Sequence, residues 1–311
     1  MLYLFSLLAG LAFVVDYPWV RELLLGPMDD ERRNSAPGAF VELSGGMTHY
    51  QWHGPRSPNV LVLIHGLSYP SWVFDGVIRG LVAMGYHVLT YDLYGRGYSD
   101  RPKGRQSLDF HIRQLDELLV EVGVTGPVSL LGYSMGGMIA STLAAKQPDR
   151  VERLILVAPA GLNYTPFPLT QRAVALGPLG AWLWGMFAGR SLQRAAQQQH
   201  DAGSVIEDLP RRVSQELNTR GYLPALLSSE HFTLTRTLEE PLTEVQAMYI
   251  PTLAIWGEKD IIVPQTAPGL MSKWHRTAQQ DVIAGAGHGL IHTHPRQILS
   301  AVKAFQNQVP D

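Results

Sequence analysis

The chain has 311 residues, 46% of them hydrophobic and 17% charged, with 30 glycines, no cysteine and a formal net charge of −2. Such length and apolar content support a large buried core and exclude a disordered tail. The near-neutral balance supplies no basic face for phosphates and argues against nucleic acid as a partner, while the absence of cysteine removes disulfides, thiolate nucleophiles and cysteine-ligated zinc.

Met1 to Val15 (MLYLFSLLAGLAFVV) carries no charge, and apolar character resumes at Trp19, Val20 and Leu23 to Leu25. An uncharged run of this length falls short of the ~20 residues that span a bilayer. No Lys or Arg precedes Arg21, and Gly10-Leu11-Ala12 is a poor cleavage site, so the segment does not read as a secretory signal. Two readings of the N-terminal apolar segment, residues 1–35, stay open. One is a helix packed on the body or on a second copy as a dimer contact; the other is a helix associated with a membrane surface. Cytoplasmic and membrane-associated locations are both compatible with it.

After the Asp29-Asp30-Glu31-Arg32-Arg33 cluster, Phe40 to Leu43, Gly45-Gly46 and Thr48 to Trp52 read as a β-hairpin that opens the folded body. Short apolar runs then alternate with helical patterns: Val60 to Ile64, helix Trp72 to Met84, Val88 to Tyr91, helix Leu108 to Val122, Val128 to Leu131, helix Met138 to Lys146, Leu154 to Val157. This alternation predicts an α/β fold with a mostly parallel sheet covered on both faces. Within the helix from Leu108, Ile112, Leu115, Leu119 and Val122 recur at spacings of three and four and form its apolar face. From Leu162 to Glu244 the strand signal disappears, and it returns at Leu253 to Trp256 and Val282-Ile283. An excursion of roughly eighty residues is too long for a loop and predicts a helical cap. The expected division is therefore a body of residues 36–161 and 245–311 with a cap of residues 162–244.

Gly132-Tyr133-Ser134-Met135-Gly136 follows one predicted strand and opens a helix, the context of a G-x-S-x-G nucleophile elbow. The glycines two residues to either side of Ser134 let strand and helix approach closely, and the turn frees the Met135 N–H at a helix N-terminus. A serine hydroxyl attacks only if a base takes its proton and a carboxylate orients that base. Asp260 ends the run Ile255-Trp256-Gly257-Glu258-Lys259-Asp260 beyond a strand, and His288 sits in the glycine-rich loop Gly285-Ala286-Gly287-His288-Gly289 after the next one. Glu258 is the competing acid, and Asp260 is the preferred one. His292 and His294 have no carboxylate or cysteine at ligand spacing, so they read as polar residues at a helix start and no metal is expected. Ile64-His65-Gly66-Leu67 bends the chain so that the Leu67 N–H faces the elbow, making Leu67 and Met135 a two-donor oxyanion hole. His65 is expected to shape that loop. In Asp92-Leu93-Tyr94-Gly95-Arg96-Gly97-Tyr98-Ser99-Asp100, Asp92 and Arg96 are expected to form a structural ion pair.

These residues resemble the α/β-hydrolase superfamily: His65-Gly66, the Asp92 to Ser99 loop, Gly132 to Gly137, Trp256 to Asp260 and Gly287-His288-Gly289 fit its pattern in order, over Phe40 to the C-terminus. The resemblance is to capped serine carboxylesterases and monoacylglycerol-lipase-like hydrolases. It implies the α/β-hydrolase fold with an inserted helical cap, no cofactor, and a small-molecule ester as substrate. Relatives that open epoxides carry aspartate at the elbow; Ser134 implies an acyl-enzyme instead. The expected reaction is hydrolysis of short- to medium-chain carboxylic esters, with Ser134 attacking, His288 as general base then acid, and Asp260 orienting it. Trp182, Trp184, Met186 and Phe187 would line an apolar acyl pocket, or else form the cap's own core. A C–C bond hydrolase and a cofactor-free haloperoxidase on the same triad remain alternatives, as does a non-catalytic binding protein, against which the intact Ser, Asp and His argue.

Overall fold

The computed structural model describes residues 15–308; positions 1–14 of the uncharged start lie outside them. Residues 15–24 are helical (α1) and lead through a short helix, Asp30–Arg33 (α2), to the hairpin of β1 (Ala39–Leu43) and β2 (Gly46–His53). The further strands are β3 (Val60–Ile64), β4 (His87–Tyr91), β5 (Val128–Tyr133), β6 (Val151–Val157), β7 (Thr252–Gly257) and β8 (Gln279–Ile283). They form one sheet in the order β1-β2-β4-β3-β5-β6-β7-β8. The pairs β1/β2 and β2/β4 are antiparallel and every other pair is parallel.

Successive side chains of a strand point to opposite faces, and β3 shows why the sheet needs helices on both. Leu61 and Leu63 enter one core with Val77 and Leu81 of α3 (Asp75–Ala83) and with Ile298, Val302 and Phe305 of α13 (Pro295–Gln308). Val62 and Ile64 enter the other, against α4 (Leu108–Glu121) and α5 (Met135–Lys146). Ser107 caps α4, its hydroxyl accepting the Phe110 N–H at 3.3 Å, and Ile112, Leu115 and Leu119 are its buried stripe as the spacing predicts. The helix expected from Trp72 begins instead as a 3-10 turn, Ser71–Phe74, because Asp92 holds the Ser71 N–H at 2.9 Å and fixes the entry of the chain.

Five helices separate β6 from β7: α6 (Pro168–Ala175), α7 (Gly177–Asp201), α8 (Leu209–Leu217), α9 (Tyr222–Phe232) and α10 (Glu239–Ala247). Trp184, Ala188, Val213, Leu217 and Tyr222 of α7 to α9 share the core of α3 and α13. α10 is different. Its Leu242 and Val245 pack with Met138 and Ile139 of α5 in the opposite core, so residue 244, the expected end of the insertion, falls inside a helix that lies on the body. The remaining helices are α11 (Ala267–Trp274) and α12 (Leu290–Thr293).

Candidate active site

Ser134 stands between β5 and α5 with φ 53° and ψ −116°, a left-handed conformation that a side chain adopts only when its surroundings enforce it. The enforcement is visible. Its N–H donates to Val157 O at 2.9 Å, and its carbonyl accepts from the N–H groups of Gly137 (2.9 Å) and Ala160 (3.0 Å). A Cβ on Gly136 would lie 1.9 Å from Ile64 O, and one on Gly132 would lie 2.4 Å from Gly136 O, so only glycines let β3, β5 and α5 meet this closely.

The structure brings Ser134, His288 and Asp260 together. Ser134 Oγ lies 2.9 Å from His288 Nε2, and His288 Nδ1 lies 2.8 Å from Asp260 Oδ2. The other oxygen of Asp260 accepts the N–H groups of Ile262 (2.8 Å) and Val263 (2.9 Å), so the carboxylate is fixed before it meets the ring. With a carboxylate on Nδ1, that nitrogen carries the proton and Nε2 presents its lone pair to the serine. Tyr133 braces the loop by donating its hydroxyl to His288 O at 3.0 Å. Ser134 and Asp260 are buried, while the His288 side chain keeps 18% of its exposure. Glu258 is occupied elsewhere, accepting the Gly285 N–H at 2.7 Å.

A Cβ on Gly66 would lie 3.2 Å from Ser134 Cβ, which places the end of β3 against the elbow. The N–H groups of Leu67 and Met135 donate to no acceptor among the described residues. His65 holds this bend: Nδ1 donates to Gly66 O at 2.8 Å, and Nε2 accepts the Leu93 N–H at 2.9 Å. Burial pushes its pKa down to about 4, consistent with a neutral ring that needs one acceptor nitrogen.

Arg96 and Asp92 do not pair with each other, contrary to expectation. Gly95 and Gly97 both have positive φ and turn the intervening arginine toward the insertion, away from Asp92. Arg96 is fully buried and donates Nε to Leu67 O (2.9 Å), one Nη to Tyr94 O (2.8 Å) and to Gln106, and the other Nη to Ser229 Oγ of α9 (2.9 Å). It thus ties the carbonyl of the candidate oxyanion residue to the insertion. Asp92 instead accepts from His49 Nδ1 (2.8 Å) and from the N–H groups of Ser71 (2.9 Å) and Tyr98 (3.0 Å). The other His49 nitrogen faces Pro37 O, so both nitrogens meet acceptors and the ring is held as a cation. Burial opposes that charge, but the Asp92 carboxylate outweighs it and raises the His49 pKa; the same pairing holds Asp92 well below the usual carboxylate range despite its burial.

Further ties were not legible in the sequence. Tyr222 of α9 donates its hydroxyl to Ser68 O, next to Leu67, at 2.8 Å, and Glu216 of α8 accepts the Gly97 N–H at 3.1 Å. The four residues expected to line an acyl pocket do not converge. On α7, Trp182 and Met186 are half-buried on one face, while Phe187 shares another with Leu183, four residues before it. Trp184 is buried with its indole N–H on Leu223 O at 2.9 Å, and Phe187 is 43% exposed beside Leu183 and Arg190 on the surface. Trp184 belongs to the insertion's core, and Trp182, Met186 and Phe187 are rotated away from it because a helix turns about 100° per residue. His292 and His294 also diverge, toward Ser204 Oγ (3.0 Å) and Thr293 Oγ1 (2.8 Å).

A family model described as the alpha/beta hydrolase fold matches residues 59–295. The chain is 28% identical to a pimeloyl-[acyl-carrier protein] methyl ester esterase of Aeromonas salmonicida, over 79% of this chain and 94% of that protein. It is 27% identical to a 2-hydroxymuconate semialdehyde hydrolase of a Pseudomonas species, over 86% of this chain and 93% of that one. Among solved structures, the enol-lactonase from Burkholderia xenovorans LB400 superposes with a TM-score of 0.70 at 19% identity, over 86% of this chain and 100% of that one. With the sheet order, the elbow and a family match over most of its length, the chain belongs to the α/β-hydrolase fold family.

Proposed function

We infer that the protein is a serine hydrolase that cleaves carboxylic esters of short to medium acyl chain through an acyl-enzyme. The observation that carries this reading is the Ser134, His288, Asp260 chain of contacts at 2.9 and 2.8 Å on a left-handed elbow. Ser134 Oγ attacks the ester carbonyl while its proton passes to His288 Nε2, and the imidazolium is stabilised by Asp260. The carbonyl oxygen, now negative, receives the N–H groups of Leu67 and Met135; one such donor is typically worth about 10²–10³ in rate. His288 returns the proton to the departing alcohol. Water then attacks the acyl-enzyme by the same route and regenerates Ser134. Helices α6 to α9 act as the cap, and the Tyr222 and Arg96 ties set its seat on the oxyanion loop. The similarity to a methyl ester esterase supports an ester substrate.

Replacing Ser134 by Ala should abolish fluorophosphonate labelling and turnover of p-nitrophenyl esters. Asp260→Asn should keep the fold and lower kcat by about 10⁴, as expected when the histidine tautomer is no longer fixed. A Ser134→Ala protein that still labels and turns over ester sinks the nucleophile assignment. Hydrolysis of a C–C bond on the same triad is the second reading, favoured by the similarity to a hydrolase named for a substrate that is not an ester. Comparing kcat/KM for p-nitrophenyl esters with that for a vinylogous diketone decides between them.

A further inference from the structure

Among the described residues, ten of the sixteen large apolar side chains left exposed fall in two stretches, residues 15–24 and 167–187. Leu24 is 80% exposed, Leu23 68% and Leu179 58%. These stretches adjoin in space. Pro18 of α1 packs where Gly185 of α7 has no Cβ, and Arg21 reaches Gly189 one turn on. Arg220 donates to the carbonyls of Leu23 and Leu25, Glu22 accepts the Gly221 N–H, and Gly26 forms a β-bridge with Thr219. α1 is thus bolted to the insertion by its inner side, with Trp19, Val20, Leu23 and Leu24 left outward.

Helical geometry continues the surface across α7. Gly185 and Gly189 face α1, Trp184 and Ala188 face the core, and the remaining side carries Leu183, Arg190 and Arg194. With Leu169 and Arg172 of α6 they line an open recess of about 550 Å³. No acidic residue lines it, and none of its three exposed arginines pairs with a carboxylate among the described residues. Of the acids on α1, Glu22 is used in the seat and Asp16 is exposed. A contiguous apolar face of this kind is rare on a monomer without a partner, and guanidinium groups set among apolar side chains match phosphate.

We propose that the outer sides of α1, α6 and α7 form one face that docks on a bilayer surface containing anionic phospholipid. Leu23, Leu24 and Leu179 enter the interfacial layer while Arg172, Arg190 and Arg194 hold headgroup phosphates. The arginines decide the occupant: a second copy meeting this face through a two-fold contact would oppose six like charges, whereas an anionic headgroup layer neutralises them. No helix among the described residues is long and apolar enough to cross a membrane, and the proposed face is the side of α1, α6 and α7 laid along the surface. The docking holds whichever bond the triad cuts.

The test is flotation of the full chain on vesicles of phosphatidylcholine alone and with one quarter phosphatidylglycerol. Wild type should bind the anionic vesicles about a hundredfold more tightly, about fivefold for each of the three arginines, and rising salt should weaken that binding. The double variant Arg190→Gln/Arg194→Gln should lose about twenty-five-fold on anionic vesicles, about fivefold per arginine, and nothing on neutral ones. Leu179→Asp should weaken binding to both. Unchanged hydrolysis of p-nitrophenyl acetate shows that the variants are folded. Equal binding of wild type to both vesicle types, or an unaffected arginine variant, overturns the proposal; so does a chain that floats with neither and sediments as a dimer dispersed by Leu179→Asp.

Discussion

Ser134 is held where an isolated residue would not stay: its conformation costs about 1–3 kcal/mol, and contacts of its neighbours maintain it. Gly136 is the sharpest of these, since a methyl group there meets backbone, which cannot rotate away. Gly136→Ala should therefore force β3 and α5 apart, cost more than about 3 kcal/mol and lower kcat/KM at least a hundredfold. Gly269→Ala in α11 is the matched control, because nothing lies within 4 Å of its added Cβ and its φ is not positive; it should gain roughly 0.5–1 kcal/mol. Urea denaturation and ester kinetics on both variants check the pair, and a Gly136→Ala protein as stable and active as wild type would refute the close-approach argument. The elbow could be read from the sequence because its sterics are local. Asp92 and Arg96 could not, because the φ signs of Gly95 and Gly97 decide where each points, and their partners His49 and Ser229 arrive from 43 and 133 residues away.

At the scale of elements, the strands of the body followed from short apolar runs and its helices up to α5 from the patterns between them, with ends moved by a few residues, whereas α11 and α13 were not read from the sequence. The insertion was legible as helical but not in its packing. Nothing in the sequence tells which side of α7 meets the core, because Trp182, Trp184, Met186 and Phe187 spread around the helix and all are apolar. The structure separates them by burial: Trp184 is 6% exposed with its indole N–H on Leu223 O, whereas Phe187 stands on the surface. Trp184→Ala should then lower stability by about 3–5 kcal/mol and scale down kcat/KM for p-nitrophenyl esters of two to sixteen carbons without moving the preferred chain length. A variant that keeps its stability and shifts its optimum to bulkier acyl groups would return Trp184 to the acyl pocket.

Across the whole molecule, insertion and body meet through buried charge. Glu216 and Glu230 both lie at this junction, and burial pushes each carboxyl up to about 7, against Arg101 beside Glu216 and the Tyr164 hydroxyl on Glu230. A carboxyl whose folded pKa is raised keeps its proton in the native state at a pH where the unfolded chain has released it. Its stabilisation is complete below the unfolded value of about 4.5 and is lost as pH rises toward about 7. The cation at His49 has the same sign, since its folded pKa is raised as well. Asp92, with a depressed pKa, gives stability that is full above the range where unfolded carboxylates titrate and is lost as pH falls through that range and below it. Between pH 5 and 7.5 the raised groups are opposed by His65 and His292, whose burial lowers each pKa to about 4 and makes stability rise as pH climbs to the unfolded value of about 6.5. Glu230 is therefore read from the difference between wild type and a variant. The contribution of Glu230 to the unfolding free energy should fall across that window by on the order of 1–3 kcal/mol. Glu230→Gln preserves an acceptor for Tyr164 and removes the titration, so its stability relative to wild type should climb across the window and leave it the more stable protein at neutral pH. Urea unfolding of both proteins at pH 5, 6, 7 and 7.5 measures this directly; a Glu230→Gln profile parallel to wild type would mean that Glu230 is already ionised in the folded protein.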